Sequence, residues 1–122
     1  MKREIPRFQK LGSVRLYSEL IAGICSNPRM YTPAGTFREV AAWLHGLAVG
    51  LDESAPELAS QWSGFVDWLP GRLNYHEVYM WYGPMQRLYP EDAVAIRQLS
   101  LLYAEYEAQC ATANTEPDAQ PE

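Results

Sequence analysis

The sequence predicts an all-α fold: a single-domain bundle of four to five helices followed by a disordered C-terminal tail. Apolar residues recur every three or four positions in several stretches, capping residues precede these stretches, and proline or glycine follows them. The 122 residues fit one domain, and 48% of them are hydrophobic, as in a globular chain. We expect an extended lead-in over residues 1–11, a helical domain over 12–111 and a disordered acidic tail over 112–122.

Local signals mark where the helices begin and end. Thr36 followed by Glu39, and Ser54 followed by Glu57, are predicted capping boxes, in which each side chain satisfies a backbone N–H at the start of a helix. Pro70, with the glycine after it, is predicted to stop the third helix. The four long helices are therefore expected over residues 13–25, 36–51, 54–69 and 90–110.

Residues 72–89 are open to two interpretations. Asn74 followed by Glu77 predicts a helix through Tyr82, and Gly83 then interrupts the pattern. Aromatic residues are also typical of strands. A strand is therefore the alternative for the run Tyr75, Tyr79, Trp81 and Tyr82.

The charge distribution argues against a nucleic-acid partner. The formal net charge is −5, and the basic residues near the N-terminus are separated by apolar ones, whereas phosphate binding needs a basic face. No N-terminal apolar stretch resembles a signal peptide, and no run of about eighteen apolar residues predicts a membrane span. The expected compartment is the cytosol, with Cys25 and Cys110 reduced.

The residue types that usually carry catalysis or bind metal form no recognisable motif. Cys25, Cys110, His45 and His76 lack the spacings of zinc sites, so we expect no metal and no cofactor. There is no nucleophile elbow and no glycine-rich phosphate loop. We therefore predict that the chain is not an enzyme. An enzyme that uses His45 or His76 with a carboxylate is kept as the least favoured alternative.

Aromatic side chains are the feature that the core alone does not explain. The chain has four tryptophans and eight tyrosines, and both types are enriched at protein interfaces. Most are expected to fill the core, and the others to form a partner-binding face with acidic neighbours. The predicted partner-binding residues are Asp52, Glu53, Glu57, Asp67, Trp68, Tyr75, Glu77 and Trp81.

The middle of the chain resembles a group of small bacterial proteins. The stretch PRMYTPAGTFREVAAWLHGLAVGL has a Met-Tyr loop, then a glycine, then a helix with a spaced Leu-x-Gly. Phe65 and Trp68, then Arg72 and Trp81, continue the pattern before a long final helix, and the resemblance covers residues 28–110. Many such small acidic proteins are immunity proteins of bacterial polymorphic toxins, or are suspected to be.

The resemblance implies a non-catalytic protein that binds and occludes a cognate toxin, and this antitoxin function is the leading hypothesis. Charge complementarity would speed the encounter, and buried aromatic side chains would slow release. The alternative is a small accessory or scaffolding subunit of a larger assembly, which includes a homodimer. Neither hypothesis involves nucleic acid or a membrane.

Overall fold

The computed structural model describes residues 16–75 and 81–115, with side chains as far as residue 113. These residues form five α-helices and one short 3-10 helix: α1 (Tyr17–Ser26), the 3-10 helix (Pro28–Met30), α2 (Phe37–Gly50), α3 (Pro56–Leu73), α4 (Tyr82–Leu88) and α5 (Asp92–Thr115). No strand occurs in the described ranges, so the predicted all-α bundle is confirmed. The strand alternative is wrong for Tyr75, Trp81 and Tyr82, and Tyr79 lies outside the described residues.

The helices pack around one hydrophobic core. α1 lies against α2, α3 and α5, while α2 also contacts α3, α4 and α5. Buried residues in the first three helices recur at the three- or four-residue spacing that places them on one helix face. The core consists of Tyr17, Ile21, Ile24, Phe37, Val40, Ala41, Leu44, Ala48, Leu58, Trp62, Phe65, Leu69, Trp81, Met85, Ala95, Ile96, Leu99, Leu102 and Tyr103.

Trp62 stands at the centre of an aromatic cluster. The centroid of its indole ring lies 5.3 Å from that of Tyr17, 5.5 Å from that of Phe65 and 5.2 Å from that of Trp81. The rings are tilted or edge-on, which the aromatic quadrupoles favour. The Tyr17 hydroxyl donates to the carbonyl of Leu44, so the polar end of this buried ring is satisfied. Much of the aromatic surplus therefore lies in the core.

The start of α2 is held by the capping box that the sequence predicts. Thr36 Oγ1 accepts a hydrogen bond from the Glu39 N–H at 3.2 Å, and Glu39 Oε1 accepts from the Thr36 N–H at 3.1 Å. Glu39 Oε1 also accepts from the Ala34 N–H at 3.0 Å. In the first turn of α5, Asp92 Oδ1 accepts from the Phe37 N–H at 2.9 Å. The Glu39 carboxylate thus ties the loop before α2 to the start of that helix, and the Asp92 carboxylate ties the first turn of α5 to it.

The fold is expected to lose stability in acid partly through Glu39. Hydrogen bonds from backbone N–H groups, that of Thr36 foremost, lower the pKa of Glu39. A carboxyl group with a lowered pKa stabilises the fold above its unfolded value of about 4.3, and this contribution is lost as the pH falls through the folded value. Urea unfolding between about pH 5 and pH 3 should therefore show a weaker pH dependence for Glu39→Gln than for the natural chain. If the free energy of unfolding changed with pH equally in the variant and in the natural chain, this role of the capping box would be contradicted.

The start of α3 differs from its prediction. The helix begins at Pro56 with Ala55 as its N-cap, and no side chain caps it, so the predicted capping box of Ser54 and Glu57 is wrong. The Ala55 N–H bonds to the carbonyl of Leu51 at 2.8 Å, which closes the preceding turn and leaves Ser54 in that turn.

The end of α3 also differs, because the helix continues through Pro70 to Leu73. Asn74 is its C-cap in the left-handed region, with φ of 61°, and its N–H bonds back to the carbonyl of Pro70. Asn74 therefore caps the end of α3. Most of the helix predicted to follow it falls on residues 76–80, which lie outside the described residues. Leu73 packs against the core and Arg72 pairs with Glu105 of α5. These contacts offset the hydrogen bond that Pro70 cannot make.

The last helix is longer than expected. α5 runs to Thr115, past the predicted end near Cys110, so residues 112–115 of the predicted disordered tail are helical. Alanine recurs in this stretch and is the best helix former. The predicted lead-in over 1–11, the predicted start of the first helix at residue 13 and residues 116–122 lie outside the described residues. None of the described helices is long and apolar enough to cross a membrane.

Candidate partner-binding surface

Four of the predicted partner-binding acids lie around the helical hairpin that α2 and α3 form. Asp52 and Asp67 line a groove between the two helices. Glu53 is exposed on the connecting turn, and Glu57 is exposed in the first turn of α3. We call residues 39–71 the acidic hairpin and the depression between its helices the hairpin groove.

The acidic hairpin contains no positive charge of its own. Its residues include five carboxylates and no lysine or arginine, an excess equal to the formal net charge of −5 for the whole chain. Glu39 is occupied by the capping box. The other four carboxylates, on exposed side chains, are those of Asp52, Glu53, Glu57 and Asp67. Their combined negative potential attracts a basic partner and repels an acidic one.

The hairpin groove is largely apolar and has a volume of about 300 Å³. Ala48, Ala59 and Trp62 are buried at its base, and Val49 and Val66 lie beside them. Val49 is 64% exposed, the largest exposed fraction among the bulky hydrophobic side chains of the described residues. Apolar surface rimmed by charged side chains is typical of a protein-interaction site.

His45 lies in the same groove, near Ser63. Its Nδ1 accepts a hydrogen bond from Trp62 Nε1 at 3.3 Å. Within residues 16–75 and 81–113, no carboxylate oxygen lies within 4.0 Å of a histidine nitrogen. His45 therefore makes no direct pair with a carboxylate among the described residues. His76 lies outside the described residues.

Trp68 lies against α5, away from the hairpin groove. Its Nε1 donates to Gln109 Oε1 at 3.1 Å, and the centroid of its ring is 5.5 Å from that of Tyr106. On the same side of α3, Arg72 donates two hydrogen bonds to the carboxylate of Glu105, at 2.6 and 3.0 Å. The single acidic and aromatic face expected from the sequence is therefore divided between two surfaces.

Trp81 lies in the core, although it was predicted to form part of a binding face. Its side chain is 5% exposed, and its ring centroid lies 5.2 Å from that of Trp62 and 6.1 Å from that of Phe37. Burial of this kind leaves little of the ring for a partner to contact. Tyr75 is half-buried, and Glu77 lies outside the described residues.

A second depression, of about 680 Å³, lies between the end of α1, the loop before α2 and the start of α5. Cys25 and Arg97 are among its lining residues. Burial raises the pKa of the Cys25 thiol to about 12, so the thiolate needed for nucleophilic chemistry is scarce at neutral pH. Nowhere in the described ranges do three or more His, Cys, Asp or Glu side chains come together as metal ligands would.

These observations define a helical-bundle domain with an acidic hairpin and an apolar groove. Comparison with protein-family models, with curated proteins and with solved structures finds no match to this chain. Reasoning from the sequence missed His45, Val49 and Val66 as groove residues. One signal was available in the sequence: lysine and arginine are absent from residues 39–71 while carboxylates are frequent there.

Proposed function

We propose that this chain is a non-catalytic protein-binding domain that acts as an immunity protein, binding and occluding a cognate bacterial toxin. The observation that carries the binding function is the hairpin groove, where apolar surface adjoins the exposed carboxylates of Asp52 and Asp67. Residues 39–71 contain no lysine or arginine to neutralise them. The immunity function rests in addition on the resemblance of residues 28–110 to small immunity-like proteins.

The chemistry of the groove supports occlusion of a basic surface. The field of the acidic hairpin would steer a positively charged partner toward it and raise the association rate. Val49 and Val66 would lose their contact with water in the complex and slow dissociation. Asp52 and Asp67 would pair with basic side chains at the groove and so set the register of the partner.

Loss of the two groove carboxylates is expected to weaken partner binding. The candidate partner is the polypeptide encoded immediately upstream. Its toxicity is assayed with and without coexpression of this chain, and its affinity for this chain is measured by calorimetric titration. For Asp52→Asn combined with Asp67→Asn, we expect the dissociation constant to rise at least about tenfold, because close charge pairs at interfaces contribute about 1.5–7 kcal/mol. Protection from the toxic activity should fall in parallel.

A matched control removes two carboxylates elsewhere. Glu19 in α1 and Glu91 before α5 are both exposed, so Glu19→Gln combined with Glu91→Gln changes the net charge equally. This control should bind like the natural chain. Equal weakening by both pairs would argue against a site at the hairpin groove. An upstream polypeptide that does not bind, together with a tight dimer in light scattering, would favour the accessory-subunit alternative.

A further inference from the structure

His45 shares the hairpin groove with two carboxylates. It is exposed on α2 and lines the groove together with Asp67 of α3 and Asp52 of the turn between the two helices. No carboxylate oxygen of the described residues lies within 4.0 Å of a His45 nitrogen, so the ring is paired directly with neither acid. The other charged residues of α2 are Arg38 and Glu39 in its first turn, and the Glu39 carboxylate is held by the capping box.

The His45 ring is the acceptor for a buried indole. Trp62 is 2% exposed, and its Nε1–H donates to His45 Nδ1 at 3.3 Å. An imidazole nitrogen accepts a hydrogen bond only while it carries no proton, and both ring nitrogens of the imidazolium are donors. Protonation of His45 therefore ends this hydrogen bond and leaves a buried N–H group without its acceptor, which is costly.

Protonation of His45 also changes the charge of the groove. Asp52 and Asp67 together carry a formal charge of −2, and one added imidazolium reduces the sum to −1. A less negative groove attracts a basic partner more weakly. Histidine is the side chain type whose charge ordinarily changes between about pH 5 and pH 8, so mild acidification is enough to cause this change.

We propose that His45 is a pH-sensitive switch of the hairpin groove: its protonation frees the Trp62 indole N–H and weakens the binding of a basic partner. The neutral ring is held by Trp62. The charged ring is attracted to Asp52 and Asp67, and it competes for them with the cations of the partner. This inference rests on the proposed function, since it describes how that site is regulated.

An NMR titration of the full chain from about pH 8 to about pH 5.5 tests the first step. The Trp62 Nε1–H resonance should move with the same midpoint as the ring protons of His45, because one protonation controls both. The Nε1–H resonance of Trp68 is the control in the same spectrum, since its acceptor is the uncharged amide of Gln109. In His45→Gln, a substitution at an exposed position, the Trp62 resonance should stay in place.

Affinity for a defined basic probe tests the second step. Hexa-arginine is titrated into the natural chain and into His45→Gln at about pH 7.8 and about pH 5.8, at low ionic strength. On acidification, the dissociation constant of the natural chain should rise about threefold more than that of the variant, as expected for one added charge near the bound cations. Every other titratable group is common to both proteins, so the variant corrects for their protonation.

Three results would each overturn the inference. These are a Trp62 resonance that does not follow the midpoint of His45, an equal pH dependence of binding in the natural chain and in His45→Gln, and a natural chain that does not bind hexa-arginine at about pH 7.8.

The upstream polypeptide separates this inference from the proposed function. If it binds through Asp52 and Asp67 with the same pH dependence in the natural chain and in His45→Gln, only the switch is overturned. If it does not bind, while the Trp62 resonance and the hexa-arginine affinity change as expected, only the immunity function is overturned.

Discussion

Replacing Trp81 with alanine is expected to lower the free energy of unfolding by about 3–5 kcal/mol. The indole is 5% exposed and its ring packs against Phe37, Trp62 and Phe65, so its removal leaves a cavity that the helices fill only in part. Because whole domains are stable by about 5–15 kcal/mol, this one change should remove a large share of the total. Urea unfolding followed by circular dichroism measures the loss.

Trp68→Ala is the matched comparison, because it removes the same side chain from the half-buried surface between α3 and α5. Its ring contacts Phe65 and Tyr106 and its indole N–H bonds to Gln109, so we expect a loss of about 1–2 kcal/mol. If Trp81→Ala were the milder of the two changes, Trp81 would not be a core residue, and its predicted place on a binding face would be favoured again.

Gly64→Ala is expected to destabilise the chain by about 1–2 kcal/mol, although alanine is the better helix former by about 1 kcal/mol. A Cβ at this position would overlap the hydroxyl of Tyr106 and stand 3.3 Å from its Cζ. Burial of the phenol, with the hydrogen-bonded Cys110 beside it, raises the pKa of Tyr106 to about 12. The hydroxyl is therefore neutral at ordinary pH values, and either the Tyr106 ring or the two helices must shift to admit a methyl group.

Gly46→Ala is the control for Gly64→Ala, since its Cβ would meet no atom within 4 Å. This variant should be more stable than the natural chain by up to about 1 kcal/mol. In a Tyr106→Phe background the overlapping hydroxyl is absent, so Gly64→Ala should cost less there than in the natural chain. Stabilisation by both glycine substitutions would show that Tyr106 does not approach α3 at Gly64.

The candidate site was predictable from the sequence only in its charged residues. Charged side chains are costly to bury, so the exposure of Asp52, Glu53 and Asp67 follows from residue type alone. Trp81 was not predictable in this way, because a large aromatic side chain serves equally well in a core and at an interface. The role of Val49 was also hidden, since its spacing on α2 has no meaning until the position of α3 is known.

The sequence by itself determined the all-α fold and most helix positions, because periodicity and the capping box of Thr36 and Glu39 act between residues within about one helical turn. The tertiary structure alone decided that α3 continues through Pro70, since the contacts that hold its last turn come from the core and from α5. It alone decided that Trp81 is buried and that Asp52 and Asp67 border one apolar groove. These outcomes depend on contacts between residues far apart in the chain, which local patterns do not encode.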